Sequence, residues 1–412
     1  MKKLLLSTFI FSCGATFAQW AYTGNNSSND VTYAFGKTFC SDGLISNTSG
    51  LYVSTDNAST WNPSNTGVPA TGLVFGANDG TNLYAFRSNS VYASTTGNNW
   101  SAQASTVPSS LTIKSMAVFN GTTMAIASPN SPASIRVLHY TAGSWSIKSS
   151  PTNSVYGTCI RNLNGTLFAG TTASSVIKST DGGVTWTGSS VGTPTQNIHK
   201  YVQCLANSGN TFYAGTIGGR ILKSTDGGAT WANSYNIGDD NGFYSINDFY
   251  IFNGTTVLAA TDSGFVYTTN SGSSWTRYNN GLNFGNFENL MKRITVSGAY
   301  IVAGVNTSAS ARVVRLPLSA VGLTPPSGLT EQVLSTEVNV YPNPSSGVFT
   351  LDLNYLSEHV VKIHDAAGRE ILSTKVNGGT AQLNLENYSK GLYTYTVYNN
   401  NIVVSRGKLI RN

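Results

Sequence analysis

The segment Ser179-Thr180-Asp181-Gly182-Gly183-Val184-Thr185-Trp186 returns 45 residues later as Ser224-Thr225-Asp226-Gly227-Gly228-Ala229-Thr230-Trp231, changed at one position of eight. Looser copies flank the pair. Ser54 to Trp61 keeps the acid as Asp56 but has Ala58 for the second glycine, Thr268 to Trp275 has Asn270 for the acid, and the stretches ending at Trp100 and Trp145 are degenerate. In such a segment the aspartate accepts backbone N–H bonds across a tight turn, glycine supplies the positive φ, and the indole fills the gap between neighbouring sheets. The segment therefore reads as scaffold, and truncating one such buried Trp to Ala is expected to cost about 3–5 kcal/mol. A calcium role for Asp181 or Asp226 needs several converging oxygens, which one aspartate per copy does not supply.

All seven tryptophans follow the same rhythm: Trp20, Trp61, Trp100, Trp145, Trp186, Trp231 and Trp275 are spaced by 41, 39, 45, 41, 45 and 44 residues. A period near 43 built from short strands and turn residues signals a β-propeller with four strands per blade. The clearest unit predicts strands over 154–163, 166–171 and 176–180, with Trp186 opening the fourth. Asn164-Gly165 is its two-residue type I′ turn, repeated as Asn120-Gly121 and Asn253-Gly254. After Trp275 a seventh unit shows three strands, at 292–296, 299–305 and 311–316, and lacks its fourth. Residues 20–24 supply it by pairing beside 311–316, so the expected fold is all-β: a seven-bladed propeller over 19–320 closed by its N-terminal strand. Six or eight blades are the alternatives. The repeated segment also resembles the Asp-box, or BNR, repeat of sialidase-like and related propellers, Ser-x-Asp-x-Gly-x-Thr-Trp.

Thr324-Pro325-Pro326-Ser327-Gly328 marks a linker, taken as 321–335. Beyond it come Val-Asn-Val-Tyr-Pro-Asn-Pro (338–344), Ile363-His364-Asp365-Ala366-Ala367-Gly368-Arg369, Gly391-Leu392-Tyr393 and Lys408-Leu409-Ile410. Alternating apolar runs over 348–353, 360–364, 370–376, 382–385, 392–398 and 403–410 predict a small β-sandwich across 336–412. These motifs resemble the type A C-terminal sorting domain of the type IX secretion system. The resemblance implies that this machinery is a partner, that the domain is an address cleaved after export, and that the passenger is released or fixed to the surface.

At the other end, Lys2-Lys3, the apolar run Leu4 to Phe11 and the site ending Ala18 have the form of a secretory signal peptide over 1–18. A lipoprotein signal on Cys13 is the rival, disfavoured by Phe11. No other run approaches the ~18 apolar residues of a spanning helix. Cys40, Cys159 and Cys204 remain in the mature chain, an odd number with no CxxC pair or Cys/His cluster, so neither a disulfide framework nor a metal site is expected, and no cofactor motif stands out. Cys159 and Cys204 occupy equivalent inner strands of adjacent blades, where a bridge is conceivable but two buried thiols fit the spacing better. The net charge of +6 is scattered: residues 19–320 carry 15 Lys and Arg against 11 Asp and Glu, and 321–412 carry 7 against 7. Scattered cations argue against nucleic acid as a partner, and a monomer is expected.

Function then rests on the propeller loops, between blades and between second and third strands, where propeller sites are usually built. These loops hold His199, Tyr201, Tyr235, Phe243, Tyr244, Tyr278 and Phe287, with Arg220 from a second-to-third loop. Rings stack on the apolar faces of sugars, and the same rings equally pack loops. A glycosidase needs paired carboxylates, or a Tyr nucleophile with an arginine cluster. Glu288 is the single Glu of 19–320, and Phe86-Arg87 gives only half of the sialidase Phe-Arg-Ile-Pro segment. The first expectation is a non-catalytic binding or adhesion module for a glycan or a surface protein. The alternative is a polysaccharide hydrolase of xyloglucanase or sialidase-like type, using Asp239 or Asp240 with Asp262 or Glu288.

Overall fold

The computed structural model describes residues 19–23, 30–41, 50–69, 72–103, 107–151, 155–173, 175–191, 201–237, 244–282, 290–306, 311–325, 339–352, 358–366, 369–377, 380–399 and 402–412. The chain divides into two compact units, with the break between Pro325 and Pro326. The region expected to be a signal peptide, 1–18, lies outside the described residues.

Up to Pro325 the chain is almost entirely antiparallel strand. Among the described residues the strands fall into seven four-stranded sheets, each in simple up-and-down order apart from one exchange. Their first strands are Asp30–Ala34, Val74–Asn78, Leu111–Phe119, Gly157–Leu163, Val202–Ser208, Ile246–Ile251 and Leu290–Ser297. The exchange is in the last sheet, whose fourth strand is Ala21–Tyr22: Ala21 pairs with Arg315 and Tyr22 with Val314, as the sequence predicted for this segment. Continuous burial marks the second strands. Thr211–Thr216 (TFYAGT) is buried along almost its whole length between two neighbouring sheets, as a fully covered strand should be. Small residues mark where sheets approach closely. A Cβ on Gly170 would lie 2.7 Å from the carbonyl oxygen of Val202 in the next sheet.

Turns follow local chemistry, with one correction. Asn120-Gly121 and Asn164-Gly165 have positive φ at both residues, as type I′ turns require. Asn253-Gly254 does not. There Phe252 N–H donates to Thr256 O at 3.0 Å and the Asn253 side chain accepts from Thr255 and Thr256 N–H, because Asn can cap a wider loop with its own amide oxygen. The strand expected over 154–163 begins at Gly157, and that expected over 176–180 is Ser175–Ser179.

The repeated octapeptide closes on itself. Asp181 accepts from Val184 and Thr185 N–H and from the Thr185 hydroxyl at 2.6 Å, while Ser179 Oγ donates to it at 2.7 Å and accepts from Gly183 N–H. Asp56 and Asp226 repeat the pattern, and Asn270 keeps its outline by accepting from Ser274 N–H at 2.9 Å. Gly182 and Gly183 both have positive φ. The tryptophans do more than fill a gap, and four of them, Trp61, Trp186, Trp231 and Trp275, are only half-buried. Five indole N–H groups cross to a hydroxyl of the neighbouring sheet: Trp61 to Thr23, Trp100 to Ser64, Trp186 to Ser149, Trp231 to Ser189 and Trp275 to Ser234, at 3.0–3.3 Å. Trp20 donates to Tyr278 O at 3.1 Å. Ser149 and Ser234 pass the bond back by donating to Gly183 O and Gly272 O, both at 2.6 Å.

The second unit forms two sheets around one core. Asn339–Tyr341, Val348–Asp352 and Thr380–Asn384 make the smaller; Glu358–His364, Glu370–Asn377, Gly391–Asn399 and Ile402–Arg411 make the larger. Phe349, Leu351, Ile363, Leu383, Val397 and Leu409 are fully enclosed between them. The strand at 339–341 escaped the sequence reading because it is short and runs straight into Pro342 and Pro344.

Candidate functional site

One end of the sheets carries the starts of the first strands and the second-to-third hairpins. In five consecutive sheets the first strand is bulged there, the register slipping at Ile113/Ser115, Gly157/Cys159, Val202/Cys204, Ile246/Asp248 and Met291/Arg293. A bulge adds one residue and re-aims its side chain. The added residues are Lys114, Thr158, Gln203, Asn247 and Lys292, all polar.

Several of these already have partners. Thr158 Oγ1 donates to Val202 O in the next sheet, and Asn247 Nδ2 donates to Met291 O at 2.8 Å. Asn247 Nδ2 also donates to Asp262 Oδ1 at 2.6 Å, where Lys292 Nζ arrives at 2.9 Å, and Asp262 Oδ2 accepts Ser245 N–H at 3.1 Å. Asp262 is buried, with both oxygens engaged.

One residue past the bulges stand Ser115, Cys159, Cys204, Asp248 and Arg293. Arg293 Nε lies 3.2 Å from Asp30 Oδ1, and its Nη1 lies 3.7 Å from Asp248 Oδ1. Each carboxylate has a second partner: Asp30 accepts Phe75 N–H at 2.7 Å and Asp248 accepts Ile294 N–H at 3.2 Å. Burial raises the Asp30 carboxyl to about 6, against the opposing pull of Arg293 and the Phe75 N–H. Cys159 and Cys204 are free, buried thiols pushed up by desolvation, and Cys204 Sγ donates to Ile246 O at 3.4 Å. The sequence reading missed Asp30, Asp248 and Arg293, since nothing local joins Asp30 to two residues more than 200 positions away, or those two to each other across separate sheets.

Of the residues expected in a site, Tyr201, Arg220, Tyr235 and Tyr244 belong to one neighbourhood. Ile217 N–H donates to Tyr201 O at 2.9 Å, Gly218 N–H to Tyr244 O at 2.6 Å, and Arg220 pairs with Asn236 beside Tyr235. All are half-buried. Tyr235 and Tyr244 pack on the core with Ile237, and Tyr235 lies 6.1 Å from the Trp275 ring. Tyr278 packs on a different cluster, with Trp20 and Phe265. His199, Asp239, Asp240, Phe243, Phe287 and Glu288 lie outside the described residues. Among the described residues no group of three or more His, Cys, Asp or Glu is arranged to hold a metal, and no helix is long and apolar enough to cross a membrane.

Comparison with known proteins adds an address and a fold. Residues 339–412 match the family described as "Secretion system C-terminal sorting domain", which implies handling by the type IX machinery and export to the cell surface or the medium. An endo-acting ulvan lyase of Formosa agariphila is 33% identical over 79 residues, 19% of this chain. The chain spans 15% of the length of the curated relatives it matches. Among solved structures, PorZ, a surface component of the type IX system of Porphyromonas gingivalis, aligns with a TM-score of 0.53 at 16% identity, over 95% of this chain and 60% of that one. YCF48 from Cyanidioschyzon merolae gives 0.51 at 14% identity, over 73% and 99%. Both are β-propellers, and at these identities the likeness is one of fold.

Proposed function

We propose that the protein is an exported, non-catalytic propeller that binds a glycan or a surface protein and is delivered by its type IX tail. In this reading 1–18 is a signal peptide, 19–320 a seven-bladed propeller of Asp-box repeats closed by the strand at Ala21–Tyr22, 321–335 a linker and 336–412 the sorting domain. The hand-over of indole bonds from sheet to sheet, including Trp61 to Thr23 and Trp20 to Tyr278, supports the closed ring. The mature chain acts as a monomer.

The observation that carries the non-catalytic reading is the state of the carboxylates at the bulged end. Asp30, Asp248 and Asp262 are each tied to a cation and to backbone N–H groups. An acid–base pair for glycoside hydrolysis instead needs one carboxyl free to give a proton and another free to face the sugar or a water. The lyase likeness is too short to bring that activity to this chain. The test is an array of polysaccharides probed with the mature protein. Retention without new reducing ends supports the binding module; reducing ends that vanish in Asp262→Asn support the hydrolase.

A further inference from the structure

Lys292 and Lys114 stand at the same place in their sheets, each the extra residue of a first-strand bulge. Their surroundings differ. Lys292 meets Asp262, presented by the preceding sheet, at 2.9 Å. In the sheet preceding Lys114, register puts the uncharged Ser88 where Asp262 stands, each the first residue of its second-to-third hairpin. Lys114 is exposed and forms no ion pair or hydrogen bond within the described residues.

Lys114 instead borders a cavity of about 420 Å³, lined also by Asn130, Tyr156, Thr158, Thr172 and Gln203. That volume lies in the range of small-molecule sites. Among the described residues its lining comes from three consecutive sheets and contains one cation, two amides, three hydroxyls and no carboxylate. Internal bonds fix its wall. The Tyr156 hydroxyl donates to Asn130 O at 3.1 Å, and Tyr156 N–H and Thr172 Oγ1 join at 3.1 Å. The side-chain amides of Asn130 and Gln203 make no hydrogen bond within the described residues, so they and the ammonium are spare donors facing one space. A positive group beside two side-chain amides and the Thr172 hydroxyl, with the Tyr156 ring on one side, matches a pyranose that carries a negative charge.

We propose that this cavity is a subsite for an anionic saccharide, its carboxylate or sulfate paired with Lys114 and its hydroxyls with Asn130, Thr172 and Gln203. The proposal rests on the binding-module reading and deepens it. Calorimetric titration of the mature full chain with tetragalacturonate, a sulfated galactan tetramer and neutral cellotetraose tests it, the first two probes separating carboxylate from sulfate. At least one anionic probe should bind, more weakly as salt rises, and Lys114→Gln should weaken it about tenfold at an unchanged melting temperature, since Lys114 is exposed. Equal binding by wild type and Lys114→Gln overturns the cavity while leaving the binding module standing. Absence of binding by every anionic probe also overturns it, and if the polysaccharide array shows no retention either, the module reading falls with it.

Discussion

Asp181 lies at the surface, yet its carboxyl is held well below the ordinary carboxylate range, first by the Thr185 hydroxyl and then by the Thr185 N–H. Asp56, in the looser copy, is lowered to about 2 for the same reason, with Thr60 as donor. A depressed acid stabilises the fold above its unfolded value near 3.8 and loses that contribution as pH falls through the folded value. Asp181→Asn should therefore melt somewhat below wild type at neutral pH, the loss limited because Asn270 shows an amide fits the turn, and should lose less than wild type on acidification. Asp181→Ala should melt lower at every pH. Asp30 has the opposite sign. Its carboxyl is raised from 3.8 to about 6 by burial, so its contribution is complete below 3.8 and is lost as pH rises through 6. Denaturant titrations from pH 3.5 to 7 should show a falling component in wild type that is absent in Asp30→Asn. A difference curve rising with pH would mean that Arg293, not burial, governs this carboxyl.

Between elements, the unit of adhesion is the indole, the hydroxyl that receives it and the carbonyl that takes the hydroxyl's proton. Ser149→Ala removes both bonds that join Trp186 and Gly183 to the neighbouring sheet and should cost about 1–2 kcal/mol by chemical denaturation. Gly170→Ala drives a methyl against the Val202 carbonyl 2.7 Å away, and should cost about 1–3 kcal/mol through overpacking. If Gly170→Ala is neutral, adjacent sheets are less tightly fixed than the contact implies. The receiving hydroxyls were legible: Thr23, Ser64, Ser189 and Ser234 each stand three residues after a Trp. The octapeptide and the Asn-Gly turns were readable because their chemistry is local. The bulges were not, since one inserted polar residue leaves apolar alternation almost intact, and Lys114 and Lys292 read as ordinary surface cations. The Arg293 cluster was hidden for a different reason, because it exists only once first strands distant in sequence are brought side by side.

For the whole molecule, Trp20 is the most informative residue. It is 2% exposed, lies edge-on to Phe265 at 5.5 Å and belongs to the cluster that joins the last two sheets. Trp20→Ala should cost about 3–5 kcal/mol, more than the same change at half-buried Trp186, and a reversed order would show that the N-terminal strand is dispensable. That strand also sets a schedule. Thr23 and its partner Val313 are 290 residues apart, so a strand made early in synthesis waits for nearly the last of the unit before it finds a neighbour. Contacts so distant form slowly, which prolongs the unfolded interval in which a chain can still be threaded across a membrane. A peptidase that trimmed the chain past Tyr22 would leave Ala311–Pro317 as a bare edge open to self-association.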